Sequence, residues 1–289
     1  MTDTVLSSSA LANRRPLTLG RVLAYATVLV SLVILLFPVL WMMLTAFKTS
    51  GEVFRVPPQW LPENWALEPL AFATSPQMVR FFINSIVVAA LTSTIATIIG
   101  GMIAYVISRS RHWSASALLM LFLASMAFPI PLLMITLYSM LSSMNLLDTY
   151  AAVVIGHLLL TLPLVVWLMK GFIDGLPAEV ELSAYIDGAG PFCILMDIVL
   201  PMMKPGMAAS AIYVFVTSWN EFVFGLTFTT STDMRPLPAG ISLLLLQEFQ
   251  YKWPEMMAVA MVATIPILAL FIFFQRYFIE GITAGAVKH

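Results

Sequence analysis

A bundle of membrane-spanning α-helices is the fold this sequence predicts, and three observations predict it. Hydrophobic residues make up 60% of the 289 positions and charged residues only 10%, against roughly 25% charged in a soluble domain. The mean hydropathy is +0.94, more apolar surface than a water-soluble fold of this length can cover. Six uncharged stretches each approach or exceed the roughly 20 residues needed to span a hydrocarbon core. The expected class is all-α integral membrane, with six transmembrane helices. A net charge of -1 without any basic run gives no sign of a nucleic-acid partner. Cys193 is the single cysteine, which excludes an intrachain disulfide and a cysteine metal cluster. His112, His157 and His289 are scattered, so no metal site is expected.

Residues 1–20, rich in Ser, Thr and Ala, read as a cytosolic tail, and 21–289 as one transmembrane domain. The uncharged stretches run over 22–47, 81–108, 113–147, 149–169, 205–220 (resuming after Glu221) and 256–275. The first is too long for a signal-peptide core, and no small-residue cleavage site follows it. With the N-terminus inside, nine cations face the cytosol: Arg14, Arg15, Arg21, Arg109, Arg111, Lys170, Lys204, Arg276 and Lys288. Five face outward: Lys48, Arg55, Arg80, Arg235 and Lys252. That bias follows the positive-inside rule, and six spans return the C-terminus to the cytosol.

Pro129 and Pro131 interrupt the third stretch. Proline removes a backbone donor and kinks a helix, so these residues either line a translocation path or bend the helix for packing. Pro163 and Pro266 pose the same choice, with the packing kink favoured. Two long outward loops, 48–80 and 229–255, combine prolines with Trp60, Trp65 and Trp253. They serve either as interfacial anchors or as a docking surface for an external protein. Glu221 is the carboxylate placed well inside a predicted span. It either faces a water-filled cavity, with Trp219 offering a stacking face, or pairs structurally near the outer end of the fifth helix. The methionines, 19 in all, read as gap-filling packing.

The cytosolic segment 174–205 is the most informative. Pro177 suits a helix N1 position, and Glu179 and Glu181 suit the positive end of the helix dipole. That helix should run to about Ile186 and stop at Gly188, where glycine accepts a left-handed cap. Pro191 should open a second short helix, with Phe192, Leu195, Ile198 and Val199 on one face, ended by Pro201 and Pro205. A merely topological connection needs only a few residues. This helix–turn–helix has the design of a surface that another protein grips.

The run from Leu176 to Phe192, Leu-Pro-Ala-Glu-Val-Glu-Leu-Ser-Ala-Tyr-Ile-Asp-Gly-Ala-Gly-Pro-Phe, followed by Ile198-Val-Leu-Pro201, resembles the EAA loop of ABC import permeases. Ala184, Asp187, Gly188, Leu200 and Pro201 fit the family pattern Glu-Ala-Ala-x-x-Asp-Gly with its trailing Leu-Pro. Leu182 stands where the family usually has Glu, and Ser183 where it has the first Ala. Glu181 lies one residue away, a rotation of about 100° along a helix. Asn84-Ser85, Trp219-Asn220-Glu221-Phe222 and the terminal run 275–288 also resemble the carbohydrate-uptake branch, the one related to the smaller maltose permease.

The resemblance implies a type I importer core that pairs with a second permease, as a heterodimer. It further implies two copies of an ATP-binding subunit and an extracytoplasmic binding protein, in a bacterial cytoplasmic membrane. Glu179, Glu181, Leu182, Ser183, Ala184, Asp187, Gly188 and Pro201 would couple to the ATPase. Trp219, Asn220, Glu221, Pro129 and Pro131 would line the path, and Gly285 and Lys288 would touch the ATPases. A phosphate-cradling Gly-x-x-x-x-Gly-Lys followed by Ser or Thr does not occur; Lys48-Thr49 lacks the glycines. ATP and Mg are therefore expected on a separate subunit, with no cofactor on this chain. An enzyme is disfavoured because no His-Glu-x-x-His or Gly-x-Ser-x-Gly occurs. An ion-coupled secondary transporter or channel would carry more intramembrane ionisable residues.

Overall fold

The computed structural model describes residues 19–245 and 252–286, with 276–286 as helix backbone alone. Helices form all the regular secondary structure among the described residues. The expected tail thus lies outside the described residues except for Leu19 and Gly20, which open α1 (Leu19–Thr45). That helix is exposed over most of its length and buries only Thr45, with Ala46 just past its end also in the core.

The 48–80 segment is not an open loop. Lys48, 2% exposed, donates to the Gln59 carbonyl at 2.6 Å and sits 4.4 Å above the Trp41 ring. Trp60 packs edge-on against Trp41 at 5.6 Å. Two short helices, α2 (Ser50–Val53) and α3 (Glu68–Ala73), complete this cap.

Ser75 then caps α4 (Pro76–Arg109), accepting from the Met78 amide. This start precedes the uncharged stretch because a capping serine and Pro76 at the first position favour nucleation there. The third stretch is not one kinked helix but two helices joined at a sharp corner. α5 (Trp113–Ser125) and α6 (Ile130–Ser143) meet at 100°. The chain tightens through Ala127–Ala124 and Phe128–Ser125 backbone bonds, and Pro129 has no N–H to continue them. Pro129 caps α6 and Pro131 sits in its first turn, so neither kinks a helix interior. Pro163 and Pro266 lie inside the unbroken helices α7 (Tyr150–Asp174) and α14 (Trp253–Ala286).

Between α7 and α11 (Lys204–Asn220) lies a folded elbow: α8 (Ala178–Ile186), α9 (Pro191–Cys193), a π-helical turn (Ile194–Val199) and α10 (Leu200–Met202). The 191–202 stretch meets α11 at 76°. α11 has 17 residues, about 25 Å of rise, and stops at Glu221, after which α12 (Val223–Phe228) restarts. α13 (Leu237–Leu245) follows, a helix within what reads as the 229–255 loop; residues 246–251 of that loop lie outside the described residues. Among the described residues four helices are long and apolar enough to cross a membrane, and up to six spans result if each bent pair is counted as one.

α4 is the spine. It packs along α7 and α11, burying Ala96, Ala104 and Ile107 with Val165, Val166 and Met169 at one end. At the other end Phe81, Phe82 and Ala89 pack with Phe215, Trp219 and Leu237.

Candidate functional site

At the first of those ends α8 stands out from the bundle with no residue buried. Pro177 occupies its cap, at φ -65° and ψ 119°, rather than the first helical position. The helix stops at Ile186 through two bonds, Gly188 N to Tyr185 O and Ala189 N to Ala184 O. Gly188 takes φ +89°, the left-handed residue of a Schellman ending.

Its neighbour departs from expectation. Phe192 is exposed, and the inner face comes from Ile194, Leu195 and Val199. Pro201 is exposed inside α10 and does not end the helix. The π turn before it widens the backbone, relieving the clash between a proline ring and the carbonyl four residues back. Pro205 falls in the first turn of α11, where its missing N–H costs nothing.

Glu181 and Leu182 face opposite environments. Glu181 Oε1 accepts from Arg109 Nη2 at 2.5 Å and from Nε at 2.9 Å, and Oε2 accepts from the Tyr105 hydroxyl at 3.1 Å. Arg109 Nη2 also donates to the Ile173 carbonyl at 3.2 Å. Beside them Asp174 accepts from Ser108 and Lys170, each at 2.5 Å. Ala184 packs inward on the core. Outward stand Glu179, Ser183 and Asp187, with Leu182 61% and Ile186 77% exposed. Leu182 and Ile186 are one turn apart and share a face. Sequence reasoning missed Tyr105, Arg109 and Ile186; the spacing of Tyr105 and Arg109, four residues apart at a helix end, was the available signal.

A second constellation closes the fifth span. Glu221 is extended (φ -70°, ψ 132°) and not inside a helix. Its carboxylate accepts from the amides of Val223 (2.6 Å), Phe224 (3.0 Å) and Gly225 (3.2 Å). It also meets His157 Nε2 at 3.0 Å, while His157 Nδ1 pairs with the Ser218 hydroxyl at 2.5 Å. The expected stacking face of Trp219 is not open: the indole is buried and lies parallel to Phe215 at 6.0 Å. Asn220 is exposed beside it, and Pro129 and Pro131 are exposed at the α5–α6 corner. Gly285 belongs to the backbone of α14, and Lys288 lies outside the described residues.

At the opposite end from α8, Asn84 Nδ2 donates to the carbonyls of Asp233 and Arg235, both at 2.8 Å. Asn84 Oδ1 accepts from the Tyr150 hydroxyl at 2.7 Å. Ser85 Oγ accepts from Leu237 N at 2.7 Å. The pair thus fastens the chain entering α13 onto α4.

The fold is thus an all-helical bundle of membrane-spanning length that carries an ordered elbow with an exposed face at Leu182 and Ile186. Residues 96–283 match the family described as binding-protein-dependent transport system inner membrane component, and the chain belongs to that family. It is thus an inner-membrane permease of a binding-protein-dependent transport system. It is 31% identical, over 93% of its length and 94% of the relative, to the sulfoquinovosyl glycerol transport system permease of Agrobacterium fabrum. Against the trehalose/maltose transport system permease of Thermococcus litoralis it is 30% identical over 93% and 98%. A bacterial ABC transporter that imports the acidic polysaccharide alginate shares the fold. The TM-score is 0.73 at 18% identity, covering 91% of this chain and 98% of that one.

Proposed function

We propose that this chain forms half of the translocation path of an ATP-driven importer for a sugar, glycoside or polyol. The observation that carries the reading is α8, whose exposed Leu182–Ile186 face is offered outward while Glu181 ties it to the bundle. We read this apolar face, on an ordered elbow placed at the cytosolic side, as a protein contact. The occupant is one of two copies of a separate ATPase subunit, which holds ATP and Mg. The carbohydrate class is supported by relatives that serve sulfoquinovosyl glycerol and trehalose/maltose transport.

The second half is a different permease, giving a heterodimer, and the solute arrives on an extracytoplasmic binding protein. Both termini are cytosolic. Residues 1–20 are a tail and 21–289 one permease domain, with 174–205 inside and the 48–80 and 229–255 segments outside. Gly285 and Lys288 approach the ATPases.

Two measurements test this. A thermal-shift screen of the cognate binding protein against sugars, glycosides and polyols should yield one tight ligand. Uptake of that ligand by proteoliposomes should then require ATP inside together with an active ATPase subunit. Uptake driven by an ion gradient without ATP would replace the reading by ion-coupled secondary transport.

A further inference from the structure

A helix tethered to its bundle by two short peptides pivots unless side chains hold it. α8 is joined to α7 through residues 175–177 and to α9 through 187–190, yet one guanidinium fixes three elements at once. Arg109 ends α4, donates to the Ile173 carbonyl of α7, and gives two N–H groups to the same oxygen of Glu181 on α8. The second carboxylate oxygen is taken by Tyr105, one turn back on α4. The pair is shielded, with side-chain exposures of 25% for Arg109 and 13% for Glu181, so salt screens it less than a surface pair. α4 itself is an unbroken helix of 34 residues, about 50 Å long. Its far end holds the chain entering α13 through Asn84 and Ser85.

We infer that Arg109 and Glu181 are positioning residues that join α8 to α4, so that a push on α8 moves the α4 rod instead of flexing the elbow. The inference rests on α8 being the ATPase-docking helix. Because the carboxylate is engaged inward, the docking face keeps Leu182 and Ile186, and the ion pair transmits the motion without touching the ATPase.

The test uses the complete transporter, with both permeases and the ATPase subunits, in proteoliposomes supplied with loaded binding protein. Solute imported per ATP hydrolysed is measured for Arg109→Gln, Glu181→Gln and the exchange Arg109→Glu/Glu181→Arg. The single variants should keep their ATPase subunits and hydrolyse ATP while the ratio falls at least about fivefold, the low end of an allosteric coupling. The exchange should recover most of the loss. An unchanged ratio, departure of the ATPase subunits from the single variants, or an exchange no better than the poorer single would overturn the inference. Cross-linking from Leu182→Cys or Ile186→Cys, with Cys193 replaced by Ser, separates the two levels. Failure to reach an ATPase subunit removes the docking reading and this inference with it. A cross-link with an unchanged ratio removes the inference alone.

Discussion

The imidazole of His157 and the carboxylate of Glu221 meet at 3.0 Å where the fifth membrane segment breaks. The carboxylate also receives the first amides of α12, so one side chain satisfies donors that would otherwise lack partners in an apolar setting. Glu221→Ala strips those partners at once, and an unsatisfied buried group costs roughly 1–3 kcal/mol. Glu221→Gln keeps an acceptor oxygen. Thermal unfolding of the detergent-solubilised permease should therefore rank wild type above Gln and Gln above Ala. Equal midpoints for all three would show that the corner is held by other contacts.

The spans were legible because a bilayer demands long apolar helices and composition reports them directly. The 174–205 elbow was legible because Pro177, Gly188 and Pro191 punctuate it. Less legible was anything decided by side chains meeting across the fold. Glu221 reads as an intramembrane charge, but its meaning depends on His157, 64 positions away. The direction Glu181 points depends on Arg109, 72 positions away. The 100° turn at Pro129 exceeds an ordinary proline kink because the preceding turn has already tightened. α13 was hidden because Pro236 and Pro238 suggest a loop, whereas in the structure they flank a helix start fastened to Ser85.

Gly240 tests that fastening. A Cβ built there would stand 2.2 Å from the ring of Phe81, which is 1% exposed, so the buried ring or α13 would have to shift. Gly240→Ala should cost roughly 1–3 kcal/mol by overpacking. Adding Phe81→Leu should return part of it. The measurement is the unfolding midpoint of both variants, and no loss in Gly240→Ala would mean that α13 is free to shift.

Asp148 lies in the connection between α6 and α7, outside the spans, and its Oδ1 accepts from the amides of Thr230 and Ser231. Burial raises its pKa, but the bonds from Ser231 and Thr230 outweigh this and hold the carboxyl below the usual 3.8. A depressed carboxylate stabilises the fold fully above its unfolded pKa and loses that contribution as pH falls through the folded one. Hydrogen-exchange protection of the Thr230 and Ser231 amides should thus hold from neutral pH down to about 4. It should decline only below 3.8. Asp148→Asn should lower protection at neutral pH and converge with wild type in acid. Protection that ignores both changes would detach this carboxylate from the loop.

Gly188 separates backbone strain from crowding at the 174–205 elbow. Nothing lies within 4 Å of a Cβ built there, but φ is +89°. Space is therefore not what an added side chain lacks. An L-residue pays roughly 1–2 kcal/mol for left-handed backbone, with Asn the best tolerated, and about 1.4 kcal/mol is a tenfold change in an equilibrium. Gly188→Ala should loosen the Schellman ending that sets the tilt of α8, and Gly188→Asp should add a charge beside Asp187 as well. Gly188 is exposed, so both variants should insert and, in the proposed assembly, pair with a second permease. Recovery of the ATPase subunit in a pull-down should fall severalfold for Ala and further for Asp, with Gly188→Asn close to wild type, and uptake should follow the same order. Full recovery and full uptake in Gly188→Asp would mean that the 174–205 elbow is not where the ATPase binds.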